Sequence, residues 1–390
     1  MERSIMHMDL DTFFVSVERL KNKALIGKPV LVGGSSDRGV VASCSYEARA
    51  FGVHSAMPMR MARKLCPHAM IVGGDFEDYS KYSADVTDII QEKAPLYEKS
   101  SIDEFYLDLS GMDKYFGTFL WAQELRQRII KETGLPISFA LSVNKLISKM
   151  GTREAKPNGA MNVPAGTERP FIAPMSVKKI PGVGDVTLQQ LSMMGVKTIK
   201  TLREIPVRLL EREFGKNGIG LWQKSNALDD SPVIAYREQK SLSKERTFES
   251  DTIDMIFLKS KIISLTEGLA FELRQIPKLT SCVTVKIKYS DFNTEIKQLR
   301  IGYTASDEVL IKIALELFEK LYQRRMLIRM VGVRFSGLVH GHPQIHLFQN
   351  VPEMISLCQA MDKVRSRFGA DAVFRCVGLE YDPSGKNRKK

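Results

Sequence analysis

Cysteine is scarce in this chain, and its placement excludes two kinds of small fold. The 390 residues include five cysteines, an odd number, and no two of them form a C-x-x-C pair. Neither a disulfide-held scaffold nor a zinc ribbon fits this usage, and a reducing compartment is expected.

Long apolar runs are also absent. The opening segment, MERSIMHMD, contains no apolar signal core, and no apolar stretch approaches the roughly 20 residues of a membrane-spanning helix. No segment recurs at the period of a solenoid repeat. These absences predict a cytoplasmic protein without a membrane partner.

The composition is typical of a folded protein with a surplus of positive charge. Hydrophobic residues make up 44% and charged residues 26% of the chain, as in ordinary globular domains. Lys and Arg number 57 against 45 Asp and Glu, which gives a formal net charge of +12. This surplus indicates an anionic partner, most simply nucleic acid, and the length indicates two to four domains.

Strand-like and helix-like segments alternate in the first part of the chain. Apolar runs at 4–10, 104–109 and 137–143 favour strands, whereas 78–92 and 119–132 have the apolar spacing of helices. This order suits a split β-α-β sheet with a subdomain inserted after the first strand.

The rest of the chain divides into further parts. Residues 166–228 have the pattern of a small all-helical unit, and 229–240 that of a linker without clear periodicity. A second α/β unit follows, with strands at 282–289 and 331–336 and two helical stripes of leucine and isoleucine. An amphipathic helix of unassigned purpose covers 353–368.

Three carboxylates form the main candidate site. Asp9 ends the first predicted strand, and Asp103 and Glu104 lie in the tight connection of a hairpin. If these strands are neighbours, the carboxylates converge and repel one another unless cations bind there. Their hard oxygen atoms suit Mg²⁺, and two Mg²⁺ ions about 3.5–4 Å apart support in-line phosphoryl transfer. Each pair alone also fits ordinary acidic turn residues.

Five short motifs follow one another in a characteristic order. They are DLDTFF at 9–14, YEAR at 46–49, SIDE at 101–104, SVNK at 142–145 and AKPNG at 155–159. With these motifs the chain resembles the Y-family translesion DNA polymerases over nearly its whole length, and most closely their DNA polymerase IV branch.

The resemblance implies an α+β multidomain fold, a right hand with a ferredoxin-like palm, small inserted fingers, a helical helix-hairpin-helix thumb and a separate α/β little finger. It also implies Mg²⁺-dependent, template-directed addition of deoxynucleotides to a primer 3′ end, with low fidelity, lesion tolerance and no proofreading exonuclease. The implied boundaries are palm 1–10 and 75–165, fingers 11–74, thumb 166–228, linker 229–240, little finger 241–343 and C-terminal tail 344–390.

The resemblance further assigns roles at the carboxylate cluster. Asp9 and Asp103 would ligate both Mg²⁺ ions, with the backbone carbonyl of Leu10 as a further ligand. Glu104 would complete the metal site beside the primer-terminal hydroxyl.

Two aromatic residues follow the first carboxylate. Phe13 and Phe14 would pack against the sugar of the incoming nucleotide. Phe14 matches the family's steric gate, a ring that fills the space a ribose 2′-hydroxyl would need. Without the family, this pair would indicate ordinary core packing at a helix start.

Four polar residues would bind the triphosphate. Tyr46 and Arg49 lie at i and i+3 on one helical face, so a hydroxyl and a guanidinium can reach the same phosphates. Ser43, where the family often has Thr, could donate another hydrogen bond, and Lys156 would add a point charge from the opposite side. Without the family, YEAR also fits a solvated helix face.

Two elements are predicted to hold DNA. In the PGVG sequence, Gly182 and Gly184 would let the backbone approach a phosphate at a helix N-terminus, although a plain glycine turn is the alternative. Residues 215–220 are a candidate second, weaker copy. In the second α/β unit, strand alternation leaves cationic side chains on one sheet face, which a solvated polar face also resembles. These side chains are Lys286, Lys288 and Arg334.

Near the end, QIHLF at 344–348 resembles the peptide by which bacterial polymerases attach to the sliding clamp. Gln344, Leu347 and Phe348 would make that contact. The expected partners are therefore primer–template DNA, deoxynucleoside triphosphates and the clamp, bound by a monomer associated with the nucleoid.

Two other functions share part of this pattern. A nucleotidyl cyclase also places paired carboxylates on a ferredoxin-like sheet, but it needs neither a helix-hairpin-helix nor a basic second sheet. A non-catalytic, clamp-bound DNA scaffold would be expected to lose one of the three carboxylates, and this chain keeps all three.

Overall fold

The computed structural model describes residues 3–112, 117–341, 351–369, 372–373 and 375, with the backbone alone at 351–355. The chain divides into two compact units, Met1–Arg237 and Glu238–Lys390. Within the part described, no helix is long and apolar enough to cross a membrane, and the four described cysteines are free thiols.

The first 165 residues contain eight strands and six helices among those described. In chain order they are β1 (Ile5–Leu10), α1 (Phe13–Lys21), β2 (Val30–Gly33), β3 (Val41–Cys44), α2 (Tyr46–Arg49), α3 (Met59–Leu65), β4 (Met70–Val72), α4 (Phe76–Lys93), β5 (Tyr97–Lys99), β6 (Glu104–Asp108), α5 (Thr118–Thr133), β7 (Ile137–Ser142), α6 (Lys145–Ala155) and β8 (Ala160–Asn162).

The central sheet has the strand order β5-β6-β1-β7-β8. β1 pairs antiparallel with both β6 and β7, and β8 adds a parallel edge next to β7. Without β8, the strands and the helices α4 and α5 have the topology of a ferredoxin-like fold. β1 lies in the middle of the sheet, and Ile5, Met6 and Met8 on it are fully buried. The predicted split sheet is confirmed.

A smaller sheet is inserted between β1 and α4. Its order is β3-β2-β4, with β2 antiparallel to β3 and parallel to β4. Ser45 begins α2 by accepting a hydrogen bond from the Ala48 N–H, which is the usual role of an N-cap serine. This cap fixes the helix that carries the YEAR motif.

Short helices follow and form a small helical subdomain. They are α7 (Glu168–Ile172), α8 (Asp185–Met193), α9 (Ile199–Glu204), α10 (Val207–Phe214) and α11 (Lys216–Ser225), with a 3₁₀ turn at Val177–Lys179.

The first part of the predicted linker, 229–240, is hydrogen-bonded to the central sheet. The buried carboxylate of Glu98 on β5 accepts hydrogen bonds from the Lys145 ammonium at 2.6 Å and from the Ile234 N–H at 2.9 Å. Arg237 also pairs with Glu98, at 3.0 Å. The segment up to Arg237 is therefore fixed on the first unit.

The second unit contains a four-stranded antiparallel sheet. Its elements are β9 (Ser241–Thr252), α12 (Met255–Gln275), β10 (Lys278–Tyr289), β11 (Thr294–Thr304), α13 (Asp307–Leu321), β12 (Ile328–His340) and α14 (Val351–Phe368). The strand order is β11-β10-β12-β9, and α12 and α13 cover one face. Val283, Val285, Ile287 and Tyr289 of β10 are fully buried against them, as predicted.

Helix α14 is attached to this unit by ion pairs. Arg274 on α12 donates two hydrogen bonds to Asp362, at 2.6 and 2.8 Å, and a third to the buried Asp307, at 2.6 Å. Part of the predicted C-terminal tail therefore packs on the second unit.

Candidate active site

The register of the central sheet brings the predicted carboxylates together. Asp9 lies directly opposite Glu104 on β6 and opposite Ser138 on β7. Opposed residues of antiparallel strands share a sheet face. The Leu10 N–H donates to the carbonyl of Asp103 at 3.0 Å, so the turn that carries the third carboxylate is tied to the end of β1.

Ser101 organises that turn. Its hydroxyl donates to the Asp103 carboxylate at 2.6 Å and accepts hydrogen bonds from the N–H groups of Asp103 at 3.3 Å and Glu104 at 3.0 Å. One side chain thus fixes both acidic residues in the connection, a common function of serine in tight turns.

Two lysines pair with the carboxylates. Lys156 contacts Asp9, and Lys149 on α6 contacts Glu104 at 2.5 Å. Burial raises the pKa of Asp9 to about 6, with Lys156 lowering it and the charges of Glu104 and Asp103 raising it. Both lysines lie at ion-pair distance from these carboxylates, as a cation attracted to the cluster would.

The donor set suits a hard cation, although the side chains are not gathered around one. Among the residues the model describes, no three His, Cys, Asp or Glu side chains converge in a metal-ligating arrangement. However, three carboxylates and a backbone carbonyl are the oxygen ligands that Mg²⁺ prefers, and two of the carboxylates already hold ammonium groups. The chemistry of these residues therefore fits Mg²⁺.

Two residues of this cluster did not stand out in the sequence. Asp11 is 1% exposed and accepts hydrogen bonds from Ser138 Oγ at 2.8 Å, the Asn158 N–H at 2.6 Å and the Tyr46 hydroxyl at 3.3 Å. Lys149 is the other. Its spacing of four from Lys145 was a usable signal, whereas Asp11 differs from a turn residue only in its burial.

The two phenylalanines have different surroundings. Phe13 is buried in the core, whereas Phe14 is only partly buried and stacks on Tyr79, with ring centroids 4.3 Å apart. The Tyr79 hydroxyl donates to the buried carboxylate of Glu18 at 2.8 Å. Tyr79 therefore supports one face of Phe14 and fixes its ring.

The predicted triphosphate ligands lie near the cluster. Tyr46 donates to Asp11, and the Arg49 guanidinium lies 5.1 Å from the centre of the Tyr46 ring. Burial, followed by the charge of Asp11, raises the pKa of Tyr46, so this hydroxyl remains a donor. Ser43 is buried on β3, and Lys156 lies 3.6 Å from the Asp11 carboxylate.

The first glycine motif leads into a helix. Gly182 has φ +94°, and Gly184 is the N-cap of α8. Lys224 donates to the carbonyl of Pro181 at 2.7 Å, which places a cation beside the loop. A cavity of about 560 Å³ extends from this loop to Lys149. Its lining includes the basic residues Lys145, Lys149, Lys224 and Arg237.

The candidate second copy at 215–220 has another evident use for a glycine. A Cβ added to Gly218 would lie 2.0 Å from the carbonyl oxygen of Leu210. Gly218 therefore lets α11 pack closely against α10.

The predicted basic face of the second unit is present but partly neutralised. Lys286 pairs with Glu245 at 2.9 Å, the Lys288 ammonium lies 5.4 Å from the Phe292 ring centre, and Arg334 is exposed. The predicted clamp-binding residues Gln344, Leu347 and Phe348 lie outside the described residues.

Three family models match the chain. One described as the impB/mucB/samB family matches residues 8–153, and one described as the impB/mucB/samB family C-terminal domain matches 239–347. A third, described as the DNA polymerase-iota thumb domain, matches 178–229.

Curated proteins are similar along most of the chain. DNA polymerase IV of Dehalococcoides mccartyi (strain CBDB1) is 36% identical over 375 residues, which cover 95% of this chain and 96% of that protein. DNA polymerase IV of Streptococcus pneumoniae serotype 4 (strain ATCC BAA-334 / TIGR4) is 35% identical over 343 residues, or 86% and 97% of the two chains.

Solved structures share the fold. The Y-family DNA polymerase chimera Dbh-Dpo4(243-245)-Dbh gives a TM-score of 0.78 at 24% identity, covering 87% of this chain and 100% of that one. The insertion ternary complex of Dbh DNA polymerase gives 0.62 at the same identity and coverage.

Proposed function

The chain belongs to the Y family of DNA polymerases and is a DNA-directed DNA polymerase, and we propose that it performs low-fidelity translesion synthesis by a two-metal phosphoryl transfer. The observation that carries the proposal is the pairing of Asp9 with Glu104 across two strands, with Asp103 tied to the end of the same strand. We further propose that it works in the cytoplasm, on nucleoid DNA, as a monomer.

Asp9, Asp103 and Glu104, with the carbonyl of Leu10, would hold two Mg²⁺ ions. When bound, the ions supply activation of the primer 3′-hydroxyl and stabilisation of the leaving pyrophosphate. Lys149 on α6 keeps the Glu104 charge balanced before the metal site is filled.

The nucleotide would be held by residues that already surround the cluster. Lys156, Tyr46 and Arg49 supply an ammonium, a hydroxyl and a guanidinium for the triphosphate, with Ser43 as a further donor. Tyr46 and Lys156 are the two that contact Asp11 in the structure, so their positions depend on one buried carboxylate.

Sugar selection would depend on the two phenylalanines. Phe14 is the proposed steric gate, and its stacking on Tyr79 supports this role because a supported ring cannot easily yield to a 2′-hydroxyl. Phe13 lies behind it in the core and would maintain its position against the sugar.

DNA would be held through its phosphates, without base recognition. Gly182 and Gly184 would offer backbone N–H groups at the start of α8, and Lys286, Lys288 and Arg334 would contact the duplex backbone from the second unit. We assign the five-stranded sheet to the palm, the three-stranded sheet to the fingers, the helical subdomain to the thumb and the second unit's sheet to the little finger, with the boundaries given above.

Low fidelity is supported by the size of the fingers. Three helices of four to nine residues and a three-stranded sheet, whose strands have three or four residues each, give a small surface to close over the nascent pair. None of the three family models that match the chain is described as an exonuclease, and we propose no proofreading role for the residues that they cover.

Primer extension tests this function. The wild-type chain, given a primer–template, deoxynucleotides and Mg²⁺, should extend the primer on undamaged and damaged templates, and chelation of Mg²⁺ should stop it. Asp103→Ala should reduce the rate of addition by about 10³-fold or more, since metal contacts stabilise the transition state by several kcal/mol.

Asp108→Ala is the matched control. Asp108 lies at the other end of β6 and accepts a hydrogen bond from the Ser110 N–H, so its loss should leave extension unchanged. DNA affinity is measured for both variants. Normal extension by Asp103→Ala would show that the active site lies elsewhere, and a wild-type chain that extends no template would contradict the proposed function itself.

A further inference from the structure

An exposed aromatic ring lies at the tip of the hairpin that joins β10 and β11. Phe292 is 60% exposed, although phenylalanine is among the residues most often buried. Its backbone has φ +66°, a left-handed conformation that glycine and asparagine adopt readily and a bulky residue does not.

The turn itself does not require this ring. The Phe292 N–H donates to the Tyr289 carbonyl at 3.0 Å, and the Tyr289 N–H donates to Asn293 at 2.9 Å. Asp291 closes the turn by accepting hydrogen bonds from the Asn293 N–H and side-chain amide, at 3.0 and 2.8 Å. Three-residue hairpin loops usually place glycine at the left-handed position. A strained position occupied by an exposed large ring indicates a function beyond folding.

Two cations lie against this ring. The Arg329 guanidinium is 4.7 Å and the Lys288 ammonium 5.4 Å from its centre, distances typical of cation–π contacts. Arg329 also has Asp251 at 4.0 Å, whereas no acidic partner of Lys288 is seen among the described residues. The tip therefore combines an aromatic surface with positive charge that is only partly balanced.

Arg324 extends the charge on the other side of the turn. It pairs with Asp291 at 3.0 Å and lies 4.9 Å from the ring of Tyr289. Asp251 and Asp291 are thus each matched by an arginine, and the charge of Glu295 on β11 acts on Tyr289, whereas Lys288 has no acidic partner at ion-pair distance among the described residues.

We propose that the tip of the β10–β11 hairpin is a binding point for an unpaired nucleotide of single-stranded DNA, with the base stacked on Phe292 and the flanking phosphates paired with Lys288 and Arg329. Stacking of bases on exposed aromatic side chains, next to cations that follow the backbone, is the general mode of sequence-tolerant single-strand binding. The inference rests on the proposed DNA-polymerase function but adds a contact to bases that the phosphate-binding face lacks.

A structural role predicts the opposite response to one substitution. If the ring only anchors the turn through its cations, Phe292→Gly should lower the melting temperature. If the ring is kept for a ligand, Phe292→Gly should preserve or raise the melting temperature, because glycine relieves the φ +66° strain, and it should weaken single-strand binding.

The test separates the base from the phosphates. Fluorescence anisotropy of the full chain measures the affinity for labelled oligothymidylate and for an abasic deoxyribose–phosphate oligomer of equal length and charge. Loss of one stacked base costs about 5-fold or more in affinity. The preference of the wild type for the oligomer with bases should therefore fall about 5-fold or more in Phe292→Gly and Phe292→Leu, and it should be retained in Phe292→Tyr.

Tyr303→Ala is the matched control, because Tyr303 is another exposed aromatic residue of the same unit, on β11. It should keep the preference. A second readout uses Phe292→Trp. The native tryptophans, Trp121 and Trp222, both lie in the first unit, so the new one reports on the tip, and its emission should be quenched by oligothymidylate but not by the abasic oligomer.

The proposal is overturned if Phe292→Leu or Phe292→Gly keeps the full preference for bases, or if the Phe292→Trp emission does not respond to them. Primer extension by the wild type is measured separately. If the wild type extends primers and Phe292→Gly binds the single-stranded oligomers as the wild type does, the tip site alone is disproved. If the wild type does not extend primers, the proposed function is disproved.

Discussion

At the scale of single residues, charge compensation holds the carboxylate cluster together. Asp9 and Glu104 face each other on neighbouring strands, where like charges destabilise pairing. Lys156 and Lys149 each bring an ammonium to one of them. The folded chain can therefore keep its carboxylates together without a bound cation.

Phe14 carries the first residue-scale prediction. Phe14→Ala removes the ring that stacks on Tyr79, which is the proposed barrier to a ribose 2′-hydroxyl. Ribonucleotide incorporation should rise at least about tenfold relative to deoxynucleotide incorporation, since discrimination by a clash is lost when the clash is removed. Single-nucleotide incorporation kinetics with matched ribo- and deoxynucleotides measure this ratio.

Tyr79→Phe is the control for the gate. It keeps the stacked ring and removes only the hydrogen bond to Glu18, so sugar selectivity should stay close to that of the wild type. Unchanged selectivity in Phe14→Ala would assign the gate to another residue.

Asp11 carries the second prediction. Asp11→Ala leaves the buried Ser138 hydroxyl without its acceptor and removes the partner of the Asn158 N–H and of Tyr46. A buried donor left unpaired costs about 1–3 kcal/mol, so the free energy of unfolding of the first unit should fall by about that amount. Denaturant unfolding followed by tryptophan fluorescence reports on this unit, because both tryptophans lie in it.

Ser138→Ala provides the comparison for Asp11. It removes one of the three donors and leaves the carboxylate with the other two, so the loss of stability should be smaller. Equal stability of Asp11→Ala and the wild type would mean that this buried network does not support the fold.

At the scale of secondary-structure elements, the central strands could be predicted, whereas the two edge strands of the second sheet could not. β1, β6 and β7 are central, and their apolar runs were read correctly from the sequence. β9 and β11 were missed because both are edge strands, and most of their residues are exposed, so no alternation of buried and exposed residues marks them.

The same limit applied to the candidate site. The five motifs and the family resemblance identified the carboxylates, because their residue types recur at fixed places in the chain. The partners Lys149 and Asp11 follow from long-range register and from burial, 45 residues from Glu104 in one case and 127 residues from Ser138 in the other. The spacing from Lys145 and the position inside DLDTFF were signals for Lys149 and Asp11, but no local motif encodes which distant residue each of them meets.

The open face of the second sheet carries the third prediction. Lys286→Ala and Lys288→Ala should each flatten the plot of log affinity against log salt by about one unit or less, because each lost phosphate contact releases fewer counterions. The effect should be smaller for Lys286, since Glu245 already balances it in the free protein. Titration of duplex DNA at several salt concentrations measures the slopes.

Lys312→Ala is the control for this face. Lys312 is exposed on α13, in the helix layer that covers the other side of the sheet. The slope of log DNA affinity against log salt for Lys312→Ala should therefore match that of the wild type. An equal change in Lys312→Ala and Lys288→Ala would mean that net charge, and not this face, determines DNA affinity.

At the scale of the whole molecule, the chain continues past the matched family domains. The C-terminal family model ends at residue 347, and α14 follows it and binds the second unit through Asp362 and Arg274. The proposed clamp peptide at 344–348 therefore stands in the chain between β12 and α14, two elements of the same unit. Deleting it would shorten the connection between them, so substitutions test its role more cleanly.

The last prediction concerns that peptide. Leu347 and Phe348 are apolar residues in a polar stretch, and two such side chains can serve as anchors in a hydrophobic groove of a sliding clamp, with Gln344 adding an orienting hydrogen bond at the rim. Leu347→Ala combined with Phe348→Ala should leave single-nucleotide addition on short primers unchanged and should abolish the stimulation by the clamp on long, end-blocked templates. Tethering raises the effective concentration of polymerase at the primer end without a new catalytic contact, which accounts for gains of about 10²-fold or more.

His346→Ala, which removes no anchor, is the matched control and should keep clamp stimulation. The alternative is that the two side chains fold back onto the second unit. In that case the double variant would melt at a lower temperature and still bind the clamp, and that pair of results would contradict the proposed attachment.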